Sequence, residues 1–350
     1  MPNKPSGRRQ PGKRTSSSDI KEPYDRVVTS ADKHVRLMLA LLSLKGVGPV
    51  TARALASRVA ADFGEPGELA DFLSNLEHRP RGFTHVSATE LDVALRAADE
   101  RIERCAELQI GIASERRSPF WADTWCIPKP PAILYYKGNT KCAEPPGVAV
   151  IGTREPTDWG YKAGKRIATR CSERGFTVVS GLAVGCDTSA HEGALAATGA
   201  TIAVLAHGLD TVYPAVNRKL ANRILDAGGM LVSEYPPGTE LRANQLVERD
   251  RLQSALSRAV IVVETDVKGG TMHTVGFASA QGRRLAALSH PDGLLHEPKV
   301  QGNQELIRTG KATPLPSNDA LNAFLDNVAP SPPAAMPAAP IPENLFDAGG

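Results

Sequence analysis

Cysteine is scarce. The chain has five in 350 residues, at 105, 126, 142, 171 and 186, with no CxxC pair. That scatter argues against a disulfide framework or a cysteine-based zinc site, and it suits a reducing, cytoplasmic compartment. Long apolar runs are missing as well, so no segment approaches the length that spans a bilayer. The N-terminus lacks the apolar core of a signal peptide. The dinucleotide fingerprint GxGxxG is absent from both glycine-bearing turns at 152–154 and 180–185, which argues against NAD or FAD. No nucleophile with a partner base and no metal-ligand cluster stands out, so no catalytic residue, metal or cofactor is expected.

What is present is an ordinary soluble composition, 41% hydrophobic and 23% charged, with a formal net charge of +3. The length allows one large domain, a smaller one and a real core. Lys4, Arg8, Arg9, Lys13 and Arg14 stand at the start with no acid among them, and residues 1–32 read as a disordered basic tail. A solubilising role is preferred there over a nucleic-acid arm.

Residues 33–108 read as a small helical domain. Gly46-Val47-Gly48 joins two helical stretches in a helix-hairpin-helix (SAM-like) pattern, with Lys45, Arg53 and Arg58 nearby. The glycines permit a tight turn and expose amides that can hold a phosphate, but such hairpins also serve as packing units; both readings stand. Further helices are expected near 68–76 and 88–108. Residues 109–147 form a connector holding Phe120, Trp121 and Trp125, read as packing between the domains, and a strand at 133–139.

From 148 to 312, short apolar runs recur at 148–151, 176–180, 201–206, 230–233, 259–264 and 284–288, separated by helix-length amphipathic stretches. This predicts an α/β domain of extended Rossmann-like type, its parallel sheet covered on both faces. Residues 313–350 read as a short helix and a Pro/Ala-rich disordered tail.

The turns at the carboxyl edge of such a sheet are where ligands bind. Gly152-Thr153-Arg154 combines close backbone approach, a hydroxyl and a guanidinium able to grip phosphate. Ser180 and Gly181 open the second turn, Arg218 and Lys219 lie just beyond the third, and Arg249 and Arg251 open a later helix. Lys268, Gly269, Gly270 and Thr271 follow the fifth strand. Arg154, Arg249, Arg251 and Lys268 are expected to converge on one rim. A pocket of amides, hydroxyls and guanidinium groups suits a phosphate chain. Asp187 and His191 share a helix face; Asp187 reads as a helix cap with some ligand contact, and Ser189 with Glu192 matches a capping box.

The ordered series resembles the DNA-processing protein A family (DprA, also called Smf). It comprises Ile133–Asn139, Gly152-Thr153-Arg154, 180–187 with His191, Gly208-Leu209-Asp210, Tyr213-Pro214, Asn217, 233–238, Gly269-Gly270-Thr271, Gln281-Gly282-Arg283 and Gly302-Asn303. The resemblance implies an extended Rossmann fold and a non-catalytic protein. Members bind single-stranded DNA, often as homodimers, and help load the RecA recombinase during natural transformation. It places Arg154 in the DNA pocket, lined by Gly152, Thr153, Ser180, Gly181, Gly269, Gly270 and Thr271.

The chain departs from the family pattern at several points. The segment Leu246-Val247-Glu248-Arg249-Asp250-Arg251 replaces aromatic-Pro-x-Arg-Asn-Arg, so Asp250 brings a negative charge to the phosphate site. Ala215 stands where a basic residue is common, Gly269-Gly270-Thr271 replaces Ser-Gly-Ser, and no winged-helix pattern follows. The alternatives are a nucleoside monophosphate phosphoribohydrolase-like enzyme and a nucleotide sensor. The enzyme needs a carboxylate just after the Gly-Gly turn, where 271–275 offers none and Glu264 lies before it.

Overall fold

The computed structural model describes residues 32–328 apart from 60–65, 77–82, 84, 121 and 198. The expected basic tail up to residue 31 and the Pro/Ala-rich tail from 329 lie outside the described residues. The chain opens on helices α1 (Lys33–Ser43), α2 (Pro49–Arg58), α3 (Pro66–Ser74) and α4 (Ala88–Glu107). Asp32 caps α1, accepting the Val35 amide at 3.2 Å. Ser87 and Glu90 form a reciprocal capping box at the start of α4. Arg36 grips Asp99 with two bonds of 2.7 and 2.8 Å, fastening α1 to α4.

Between α1 and α2, Gly46 takes φ +80 and Val47 turns into the core. Arg53 of α2 pairs with Glu115 at 2.7 Å and donates to the carbonyls of Pro131 and Trp125. Its guanidinium therefore joins the helical unit to the segment before the sheet. The packing reading of the hairpin accounts for this residue.

The sheet elements follow as β1 (Gly111–Ala113), β2 (Leu134–Gly138), β3 (Gly147–Ile151), α5 (Asp158–Glu173), β4 (Thr177–Ser180), α6 (Cys186–Ala197), β5 (Thr201–Leu205), α7 (Arg218–Asp226) and β6 (Met230–Ser233). Then come α8 (Ala243–Ala255), β7 (Ala259–Val262), α9 (Thr271–Ala280), β8 (Arg284–Leu288), α10 (Gln301–Arg308), β9 (Thr313–Leu315) and α11 (Asn318–Asp326). Among the described residues they form one nine-stranded sheet in the order β1-β2-β6-β5-β4-β3-β7-β8-β9. From β6 to β9 every pairing is parallel, while β1 and β2 close one edge antiparallel. Residues 109–147 thus contribute two strands to the sheet, with Phe120 and Trp125 buried in its core.

Period-two alternation sorts the strands onto two covered faces. Val148 and Val150 pack with α5, α6 and α11, whereas Ala149 and Ile151 pack with α9 and α10. Each fully buried valine or isoleucine contributes roughly 1.5–3 kcal/mol. The helical unit shares a core with the first of these faces: Val35, Leu39 and Leu91 lie in one cluster with Leu205, Leu231 and Ile224. Strand order reverses between β3 and β7, and this is the topological switch point, where open α/β sheets hold ligands.

Candidate functional site

A cleft of about 440 Å³ opens at that switch point, beyond the carboxyl ends of β3 and β7. Its first wall is the turn after β3. Gly152 is required there because a Cβ would overlap the Cys186 side chain and the Glu264 carbonyl. The Thr153 amide donates to the Glu264 carbonyl at 2.7 Å, and the Thr153 carbonyl accepts the Cys186 amide at 3.1 Å. The turn is locked to the loops on both sides, and Arg154 projects from it. That side chain is exposed and has no acidic partner among the described residues.

The second wall is the turn after β7. Asp266 accepts the Lys268 amide at 3.1 Å, and Asn303 clamps the strand end, accepting from the Thr265 amide and donating to the carbonyls of Val262, Val263 and Leu288. Gly270 stands at the N-cap of α9 without a side-chain cap. The amides of Gly270 and Thr271 have no acceptor among the described residues, so the positive end of α9 faces the cleft with unpaired donors.

The floor carries Arg249, which is buried. Its Nη1 donates to the Gly181 carbonyl at 2.8 Å and to the Val204 carbonyl, and its Nε donates to Asp250 Oδ1 at 3.1 Å. Asp187 closes the floor from the α6 side, accepting the Ala183 amide at 3.3 Å. Burial pushes the Asp187 carboxyl above its ordinary value, against the opposing pull of Arg249. Asp250 is pushed up to about 6, first by burial and then by neighbouring Asp187, with Arg249 opposing. The cleft thus holds a positive wall and amide donors above a floor whose carboxylates are partly neutralised.

Seven of the phosphate-binding candidates read from the sequence line this cleft, Gly152, Thr153, Arg154, Arg249, Gly269, Gly270 and Thr271, and so do Asp187 and Asp250. Gly181 borders an adjoining slot instead. Ser180 lies under the floor, its hydroxyl donating to the Val150 carbonyl at 2.8 Å. The expected convergence of four cations is corrected at two of them. Arg251 turns away into the interior, where Glu234 takes it in two bonds of 2.6 and 2.8 Å, because successive residues of a helix point to different faces. Lys268 is exposed and does not line the cleft. Arg218 and Lys219 lie exposed at the start of α7, outside the cleft wall.

The capping box expected of Ser189 and Glu192 does not form. Ser189 is already inside α6, donating to the Cys186 carbonyl at 2.8 Å, and Glu192 meets Lys165 at 3.3 Å. The Asp187 carboxylate accepts from the preceding loop, so it braces that loop. His191 is buried with Nδ1 2.9 Å from Thr201 Oγ1; that hydroxyl donates to the Val178 carbonyl, so the ring nitrogen is the donor. Burial lowers its pKa to about 3 and keeps the ring neutral. Glu264 faces away from the cleft: its carboxylate accepts the Thr157 amide and hydroxyl, each at 2.7 Å, at the start of α5. A Cβ on Gly160 would overlap that carboxylate.

Leu246, Gln253, His273 and Lys299 also line the cleft. Lys299, which pairs with Glu155 at 3.1 Å, carried no local signal, because it arrives from a short turn far along the chain. No cluster able to hold a metal occurs among the described residues, and no described helix is long and apolar enough to cross a membrane.

Residues 113–326 match the DNA recombination-mediator protein A family. Protein Smf of Synechocystis is 40% identical over 204 residues, 56% of this chain and 50% of that protein. The chain spans about half the length of these curated relatives, Protein Smf of Synechocystis and of Escherichia coli. The solved structure of DNA processing protein A from Streptococcus pneumoniae superimposes with a TM-score of 0.62 at 26% identity, covering 84% of this chain and 94% of that one. The Helicobacter pylori protein, whose structure describes a single-stranded DNA binding mode, gives 0.56 at 29% identity over 63% and 97%. With the cleft at the switch point of the matched region, the chain belongs to the DNA recombination-mediator protein A family.

Proposed function

We propose that this protein binds single-stranded DNA in the β3–β7 cleft and acts without catalysis, as a mediator that protects the strand and hands it to the RecA recombinase during transformation. The observation that supports this best is the pairing of a free Arg154 with the unpaired amides of Gly270 and Thr271 across one cleft. A guanidinium and helix N-terminal amides hold phosphate oxygens without reading bases. The relative from Helicobacter pylori, described by its single-stranded DNA binding mode, supports the ligand class. Arg218, Lys219 and Lys268 then lie along the outer track of the strand. A homodimer working in the cytoplasm completes the proposal.

The phosphoribohydrolase reading gains no support. Glu264 is committed to Thr157, Asp187 to the Ala183 amide and Asp266 to the Lys268 amide.

Fluorescence anisotropy with labelled single-stranded DNA, duplex DNA and mononucleotides, repeated across salt concentrations, tests the proposal. It expects preference for single strands and affinity that falls steeply with salt. Tight mononucleotide binding with no single-strand preference would replace it by a nucleotide sensor. RecA loading is checked by strand exchange on DNA coated with single-strand binding protein.

A further inference from the structure

Glu264 is fully buried just beyond β7, yet it holds both ends of the loop that carries Arg154. At one end its carbonyl accepts the Thr153 amide at 2.7 Å. At the other its carboxylate accepts the Thr157 amide and the Thr157 hydroxyl, each at 2.7 Å. Arg154, Glu155 and Pro156 are therefore strung between two attachments to a single residue. The Thr157 hydroxyl also accepts the Gly160 amide at 3.0 Å, so it links the carboxylate to the first turn of α5. Glycine is needed on both sides of this post: a Cβ at Gly152 would strike the Glu264 carbonyl, and one at Gly160 its carboxylate.

The post is itself anchored. Asn303, also fully buried, donates to the Val263 carbonyl at 3.0 Å and accepts the Thr265 amide at 2.9 Å. The Val263 amide donates to the Ile151 carbonyl at 2.9 Å. The backbone is thus tied on either side of Glu264. His290 closes another side of the carboxylate, with Nε2 3.3 Å from Oε1 and its ring packed on Trp159 at 5.2 Å. Arg154, by contrast, is exposed and has no acidic partner among the described residues, so its backbone alone aims its guanidinium.

We propose that Glu264 is a positioning residue of the DNA site. It holds the 153–157 loop in the shape that brings Arg154 to a phosphate of the strand, and it does not touch the strand itself. This rests on the single-stranded DNA reading of the cleft and adds to it the residue that orders the loop in advance. A loop ordered before binding lowers the entropy lost when the ligand arrives. Charge and position make opposite demands here. By charge alone, a carboxylate near a polyanion opposes binding, so its removal would strengthen affinity. Positioning requires the reverse.

The full chain is titrated as wild type, Glu264→Ala, Arg154→Ala and the double variant, with a labelled thymidine strand at several salt concentrations. Glu264→Ala is expected to weaken binding by about tenfold, the share of one charge-assisted phosphate contact. The salt slope should fall by about 1 as that contact is lost. Removing Glu264 from the Arg154→Ala chain should cost less than about twofold more, because the loop no longer carries its cation. Thermal melts establish that each variant is folded. If Glu264→Ala is not, Thr157→Val carries the same cycle, since it removes the hydroxyl bond to the carboxylate and keeps the shape of the side chain. An equal loss in both backgrounds marks a general structural defect and overturns the inference. Unchanged or tighter binding by a folded Glu264→Ala overturns it as well, while the cleft stands. Failure of wild type to bind the strand overturns the cleft reading itself.

Discussion

The Arg249 guanidinium donates to the Gly181 carbonyl at 2.8 Å, so a cation midway along α8, and not at its start as the sequence suggested, holds the turn after β4 in place. A Cβ at Gly181 would collide with that same guanidinium, so each residue requires the other. Arg249 is therefore part of the frame as well as of the cleft. Arg249→Ala should remove binding and also lower stability by about 3–5 kcal/mol, since Asp187 and Asp250 lose their buried counter-charge. Urea denaturation followed by circular dichroism measures the second effect. A variant as stable as wild type would show that the guanidinium is not structural.

Arg154 offers the contrasting case. It is exposed and supports no neighbour, so Arg154→Ala should keep the wild-type melting temperature. Its affinity for all single-stranded sequences should fall by about tenfold, and the salt slope by about 1. Gel shifts at several salt concentrations check both numbers. Unchanged affinity at low salt would remove Arg154 from the site.

Asp250 should make binding in the cleft pH-dependent. Burial pushes its carboxyl up to about 6, and a phosphate bound in the cleft would raise it further by like-charge repulsion. Binding therefore takes up a proton, and affinity should rise as pH falls from about 7.5 to 5.5. Asp250→Asn should bind more tightly at pH 7.5 and lose most of that dependence; an unaltered pH profile would exclude Asp250 as its source. For folding the sign also follows. The folded value lies above the ordinary 3.8, so the folded state binds more protons between the two values. The destabilising charge is fully present above the folded value, and Asp250→Asn should raise the melting temperature at pH 7 but not below about pH 4.

Arg251 should behave as an interior residue. Breaking its pair with Glu234 by Arg251→Ala leaves a buried carboxylate alone and should cost about 3–5 kcal/mol. An apolar double replacement, Arg251→Met with Glu234→Leu, should recover much of that loss. Anisotropy on the folded double variant is expected to give near wild-type affinity. A large affinity loss there would return Arg251 to the DNA site.

His191 gives an opposite stability window to Asp250. Burial depresses it to about 3, so the unfolded chain binds the extra proton between there and the ordinary 6.5. Its contribution is fully present above the unfolded value and is lost as pH falls toward the folded one. Replacing it by glutamine should flatten the acid side of the stability curve, read by denaturant melts from pH 7 to pH 4.

Much of the fold was legible in the chain. The β-branched runs at 148–151 and 259–264 could be buried on both sides only in a parallel sheet covered by helices, and the structure places β3 and β7 there side by side. The glycine turns at 152–154 and 269–271 were readable because backbone approach and helix starts leave a local signature. The resemblance of those turns to one family was equally local, and the family match over residues 113–326 agrees with it.

Direction in space was not legible. Arg249 and Arg251 are two positions apart and chemically alike, yet one lines the cleft and the other pairs with Glu234, because helix rotation sends them to different surroundings. The Asp187 carboxylate faces the loop before α6 while His191, one turn later, meets β5, a distinction that only packing makes. Glu264 was legible only as a carboxylate before the Gly-Gly turn; its partner Thr157, 2.7 Å away at the start of α5, was not. The sequence by itself determined the parallel strands β3 to β8, the turns and the family, but not the short edge strands β1 and β9. Tertiary structure decided which charges face solvent, because burial and partner choice depend on elements more than 100 residues apart, as with Thr157 and Glu264.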